Sequence, residues 1–227
     1  MSAEITIDST VAEVVAALEA LEDPKARAVN ERHGDDHGVN LTRLREVAKP
    51  LKKNQDLALE LWATGYTPAR LVATLVARPR AFTQAQLDSM LREAYIPKVH
   101  GWLVNYIVKK SPHAEQLRLI WLMDDDPVVA SAGWELTSER VARNPEGVDA
   151  GMLLDVIELG MRDAPERLQW SMNWCLTQIG VCHPEHRDRA IAIGERLGVL
   201  KDYPTPPNCT SPYAPIAIAE LVSRREG

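Results

Sequence analysis

The chain has 227 residues, 45% of them hydrophobic, enough to bury an ordinary core as one large domain or two small ones. Its net charge of −6 and pI near 5.6 exclude indiscriminate nucleic-acid binding, which needs a general excess of Lys and Arg, yet leave room for a local basic groove. One Phe and five Tyr beside many Ala, Leu, Glu and Arg point to an all-α protein, and no apolar run approaches the roughly 20 residues that span a bilayer.

In chain order, Ser9 to Leu21 predicts a first helix, with Val11, Val14, Val15, Leu18 and Leu21 at helical spacing. Asp23-Pro24 starts a second, to about Arg32. His33-Gly34-Asp35-Asp36-His37-Gly38 reads as a solvated polar turn, since no further ligand lies at a spacing that would make its His and Asp residues a metal site. Asn40 caps a helix through Leu41, Leu44, Val47, Ala48 and Leu51, which Pro50 should kink or shorten. Asn54 caps the next, ending at Gly65, and Thr67-Pro68 opens another with Thr67 as cap and Pro68 first in the helix, stopping at Arg78-Pro79.

Thr83 with Gln86 forms a capping-box pattern for a helix from Gln84 to Tyr95, and Pro97 starts a helix running from Lys98 to Lys110. Ser111-Pro112, Asp126-Pro127, Ala164-Pro165 and His183-Pro184 each precede an amphipathic run. Together with Asp23-Pro24 and Thr67-Pro68 they give six helix starts with Pro at the first position. One of Asp124, Asp125 and Asp126 should cap its helix, and Glu135, Glu139 and Arg143 read as a solvated ion-pair row. Residues 199–215, rich in proline, predict an ordered extended segment anchored by Tyr203 and Tyr213, before a last helix from Ile216 to Val222.

Helices of about 10 to 16 residues joined by short turns, paired two by two, give units of roughly 35 to 45 residues. The fold class expected is therefore all-α: one domain over residues 1–227, built as a curved α-solenoid of HEAT-like or armadillo-like repeats. Cys175, Cys182 and Cys209 are too few and too clustered for a disulfide framework. With no signal-like N-terminus, they read as thiols of a cytoplasmic protein. Cys182, His183, His186 and Cys209 could hold zinc only in an unusual spacing, so no metal or other cofactor is expected. The six Trp residues, at 62, 102, 121, 134, 170 and 174, read first as helix-packing core. Basic residues gather at Arg43, Arg45, Lys49, Lys52 and Lys53, at Arg70, Arg78 and Arg80, and at Lys98, His100, Lys109 and Lys110.

The segment GVNLTRLREVAKPLKKNQDLALELWATGYTPARLVATL, from Gly38, resembles the N-terminal part of the AlkD-like DNA alkylation repair family. GWLVNY, DDDPVVASAGWEL and SMNWCLTQIG follow in that family's order. The resemblance covers about residues 38–180. It implies a helical-repeat groove holding alkylated duplex DNA, from which cationic N3- or N7-alkylpurines such as 3-methyladenine and 7-methylguanine are excised without base flipping. A carboxylate and aromatic rings would stabilise the sugar cation as it forms.

On that resemblance Trp102 and Trp174 match the aromatic walls. Tyr106 stands where the family has its Asp, with Asn105 before it, and Ser131 falls at or near the family's Arg. Catalytic candidates are thus Trp102, Asn105, Tyr106 and Trp174. DNA-contact candidates are Arg43, Lys52, Lys53, Lys109, Lys110 and Ser131. The implied partner is alkylated or structurally unusual duplex DNA, met by a monomer that is nucleoid-associated if it binds DNA. The replaced Asp and Arg leave an alternative: a non-catalytic HEAT-repeat binder of DNA structures, or a protein-interaction scaffold.

Overall fold

Side chains close many of the helix starts. In a computed structural model describing residues 4–226, Thr10 and Glu13 form a capping box at α1 (Val11–Glu19), and Asp23 accepts from the Lys25 amide at α2 (Pro24–Glu31). Asn40 accepts from Thr42 at α3 (Leu41–Leu51), Asn54 from Leu57 at α4 (Gln55–Ala63), and Thr83 and Gln86 box the start of α6 (Gln84–Glu93). Each such bond satisfies an amide that the helix itself leaves open. The cap of α5 (Thr67–Val76) is Tyr66, not Thr67, which is already helical and buried. Pro68 therefore stands second in its helix.

Two compact units divide the chain at Ala114. Met1–Ala3 and Gly227, included in the single-domain expectation, lie outside the described residues. In the first unit α5 is the central element, packed on α3, α4 and α7 (Pro97–Trp102) and against α1. Eight of its ten residues are buried. After α8 (Ala114–Trp121), the second unit is organised by α11 (Glu166–Cys182), which packs on α9 (Pro127–Arg143), α10 (Ala150–Gly160), α12 (Arg187–Leu197) and α13 (Ala214–Glu226). Gly180 permits the approach of α13, because a Cβ there would lie 2.5 Å from Ile218 Cδ1.

Of the six prolines expected to open helices, Pro24 and Pro127 do so at the first position. Pro112 precedes α8, Pro165 is the cap of α11, and Pro184 opens a 3₁₀ turn ahead of α12. The proline-rich segment is ordered against α11: Asn173 Nδ2 donates to Pro212 O (2.8 Å), and Trp170 meets Tyr203 edge-on with ring centroids 4.9 Å apart. Tyr213 is buried and Tyr203 remains half exposed. Among the described residues there is no strand, only an isolated bridge between Glu22 and Val39, and no helix is long and apolar enough to cross a membrane.

The turn from His33 to Gly38 is not solvated as expected. Asp35 and His37 are both buried, at 2% and 0% exposure. Asp35 Oδ1 accepts from the Lys98 amide at the start of α7 (2.9 Å), where a helix end favours negative charge. Gly38 donates to Glu22 Oε2 (2.7 Å), and a Cβ at Gly38 would come within 2.6 Å of Asp23 O, so the backbone approach admits only glycine. Glu22 also accepts from Arg27 and from the Tyr66 hydroxyl (2.9 Å); burial, then that hydrogen bond, push the Tyr66 phenol pKa well up.

His37 Nδ1 accepts from the Val39 amide (3.2 Å), while Nε2 is enclosed without a partner. Burial depresses the His37 pKa, more than Asp35, Glu22 and Asp36 restore it. The unfolded chain takes up a proton near pH 6.5 while the folded ring stays neutral. Stability is therefore fully present above that pH and lost as pH falls through the lower folded pKa. Urea midpoints should fall on acidification from about pH 7 to 5, less steeply in His37→Asn; parallel curves would contradict the assignment.

Candidate nucleic-acid interface

The predicted helix from Lys98 to Lys110 is broken in its register. After α7 the chain makes a π-helical turn over Leu103–Ile107, then a 3₁₀ turn over Val108–Lys110. Such a π turn accommodates an extra residue in the helix and often marks a functional position. It carries two of the four catalytic candidates. Asn105, exposed, donates to Gly101 O (2.8 Å) and accepts from the Lys109 ammonium (2.7 Å). Tyr106 meets Trp102 edge-on, with centroids 5.2 Å apart.

Both rings carry a cation. Arg45 lies over Trp102 at 4.9 Å and Lys110 over Tyr106 at 5.4 Å, within the range of cation–π attraction. Trp102 is itself buried, at 8% exposure, so its exposed partner Arg45 is what the solvent meets.

Beside this pair is a groove of about 370 Å³ lined by Arg45, Ala48, Lys49, Lys52, Lys53 and Leu75. None of its lining residues is acidic. Arg45, Lys49 and Lys52 stand four and three residues apart, which places them on one face of α3 and its continuation. Lys53 is partly structural: its ammonium donates to Leu75 O (2.7 Å) and Ala77 O (2.9 Å), carbonyls at the C-terminus of α5 where positive charge is favoured. Burial, then the nearby Lys110 charge, lower the Lys53 pKa. Arg43 is not part of this face. It pairs with Glu46 (2.9 Å) and lines a separate hollow with Glu22, Asp23 and Glu46.

In the second unit Trp174 is 49% exposed on α11, whereas Trp62, Trp102, Trp121 and Trp134 are buried. The Ser131 expectation needs correction. Ser131 is fully enclosed within α9 and its hydroxyl donates to Val128 O (2.7 Å), so it offers no atom to a phosphate. Asp126 caps α9 through the Val128 amide (2.9 Å), and Arg143 pairs with Glu139 (3.4 Å). His183 contacts Val141 O (3.3 Å) and Glu185 (3.4 Å). Among the described residues no three His, Cys, Asp or Glu side chains gather as a metal would require.

A family model described as DNA alkylation repair enzyme matches residues 14–218. The chain belongs to the DNA alkylation repair family. Two uncharacterized proteins are similar to it over 191 residues, 80% of this chain and 83% of each: one of Listeria innocua at 25% identity and one of Listeria monocytogenes at 24%. A solved structure from a family related to the HEAT-like repeat DNA glycosylases, with affinity for branched DNA structures, superimposes with a TM-score of 0.76 at 23% identity. It covers 96% of this chain and 95% of its own. The all-α, HEAT-like-repeat fold expected from the sequence is the fold the chain has.

Within this DNA alkylation repair family member, the position four residues after Trp102, where the resemblance puts a carboxylate, holds the Tyr106 phenol under a lysine. Sequence reasoning missed the π turn and left Arg45 and Lys49 out of the contact set. Their spacing with Lys52 was the signal that could have placed them there. The two roles of Lys53 can be separated from simple groove charge. Lys53→Ala should cost about 1 kcal/mol in urea denaturation through its lost carbonyl bonds, and Lys49→Ala less than about 0.5 kcal/mol. Equal costs would contradict the Lys53 assignment.

Proposed function

We propose that this protein binds duplex DNA, alkylated or branched, as a DNA-structure binder, through the cationic groove and the Trp102–Tyr106 turn of its first unit. The observation that carries the reading is the groove of Arg45, Lys49, Lys52 and Lys53 with no acidic lining, continued by Lys110 over Tyr106. A net-acidic chain that concentrates cations on one face has the electrostatic pattern of a phosphate site. The family supports a DNA partner. The affinity for branched DNA of the family to which the similar structure belongs supports a preference for distorted duplexes. Because the family model spans residues of both units, we propose that they serve one helical-repeat domain.

Binding is favoured over excision for a chemical reason. Loss of a cationic alkylpurine builds positive charge on the deoxyribose, which a carboxylate would stabilise. Here the groups at and just before the family's carboxylate position are a phenol and a carboxamide, and the Trp102 and Tyr106 rings carry the cations Arg45 and Lys110. Cations placed there oppose that charge. Trp174, open to solvent, adds an aromatic face in the second unit.

If Arg45, Lys49, Lys52, Lys53 and Lys110 each neutralise one phosphate, log affinity should fall with log salt at a slope of about −4.5. Fluorescence anisotropy over a salt series, on plain duplex, a four-way junction and a 7-methylguanine duplex, measures it. The junction should bind most tightly and 7-methylguanine should leave at its spontaneous rate. Salt-independent affinity would sink the binding reading, and free base above the spontaneous rate would restore excision.

A further inference from the structure

Lys52 follows the last residue of α3 with φ 54° and ψ −146°. These angles lie outside the left-handed helical basin that Asn and Asp tolerate, in a region that is comfortable for glycine and strained for a residue with a Cβ. The surrounding chain imposes them. Asn54 N donates to Val76 O (3.0 Å), the Lys53 ammonium donates to Leu75 O and Ala77 O, and Arg78 Nη2 donates to Lys53 O (3.1 Å). Arg78 N donates in turn to Gln55 Oε1 (2.8 Å). With the link after Lys52 fixed to the end of α5, and Leu51 buried at the end of α3, Lys52 is where the chain takes up a positive φ as it changes direction.

The fold's own demand at this position is for glycine. Elsewhere positive φ is taken by glycine after α4 (Gly65, 70°) and after α12 (Gly198, 66°, in the left-handed helical basin), and outside helix ends also by Leu200 (59°) and Asn208 (66°). At position 52 the chain keeps a long cation instead, and that cation lines the groove with Arg45, Lys49 and Lys53. Strain retained at a candidate binding site, where the ordinary turn residue would relieve it, points to a role for the side chain that outweighs its conformational cost.

We infer that Lys52 positions a DNA backbone phosphate in the groove and is held in a glycine-type backbone conformation for that purpose, at the expense of stability. The inference rests on the DNA-binding reading given above. It adds a specific trade: the substitution that best suits the fold is the one that damages binding. Replacement by glycine removes strain and charge together, replacement by alanine removes the charge and keeps the strain, and replacement by arginine keeps both.

The full chain and its Lys52→Gly, Lys52→Ala and Lys52→Arg variants, thermally melted and titrated with a short fluorescein-labelled duplex over a salt series, separate these terms. Lys52→Gly should melt about 2–4 °C above the wild type, bind about fivefold more weakly at moderate salt, and lower the magnitude of the salt slope by about 1. Lys52→Ala should bind as weakly as the glycine variant without its gain in melting temperature, and Lys52→Arg should recover the affinity. A glycine variant that melts at or below the wild type overturns the strain, and one that melts higher but binds like the wild type overturns the phosphate role. In both cases wild-type binding still stands. A wild type without salt-dependent affinity removes the DNA reading and this inference together.

Discussion

The groove depends on the way the link between α3 and α4 is tied to the end of α5. The C-terminal carbonyls of α5 take the Lys53 ammonium and the Asn54 amide, while Arg78, just beyond that helix, returns a bond to Lys53 O. These bonds satisfy carbonyls that a helix end leaves open, and they do so with a cation, which the helix dipole favours. The same bonds fix where α3 stops and present Lys52 beside Arg45 and Lys49. A structural need of α5 and a charged surface are therefore met by one short segment.

A net-acidic protein gains from building its cationic face this way. Clustered lysines repel one another, and the depressed Lys53 pKa is one sign of that cost, added to burial. Aromatic rings and backbone carbonyls offset part of it without adding negative charge: Arg45 rests on Trp102, Lys110 on Tyr106, Lys53 on α5. Carboxylate partners would have neutralised the face. Arg43, which is paired with Glu46, shows that outcome on the same helix. The π turn at Leu103–Ile107 contributes by setting Tyr106 edge-on to Trp102 and Asn105 within reach of Lys109.

Features decided within a few residues were legible in the sequence. Asn40, Asn54 and Thr83 cap the helices they were expected to cap, and Asp126 is the one of the three acidic turn residues that does so, because a short polar side chain ahead of an apolar-periodic run has a local partner in the next turn. Gly38, which opens the segment that carried the resemblance, is required by close backbone approach. Features decided at a distance were not legible. Asp35 and His37 look like solvent-exposed turn residues until the Lys98 amide is brought to Asp35 from another helix. Ser131 reads alike whether it faces solvent or core, and a π turn has no residue type of its own. Arg43 and Arg45 differ only by which side of α3 they occupy, and the sequence holds that difference in the spacing from Arg45 to Lys49 to Lys52.

The central claim is that DNA lies on the α3 face and the Trp102 turn. Hydrogen–deuterium exchange of the full chain, with and without saturating duplex, tests it most directly. Slowed exchange concentrated at residues 45–53 and 102–110 is the predicted result. Unchanged exchange in both segments, with protection appearing elsewhere or nowhere, would contradict it.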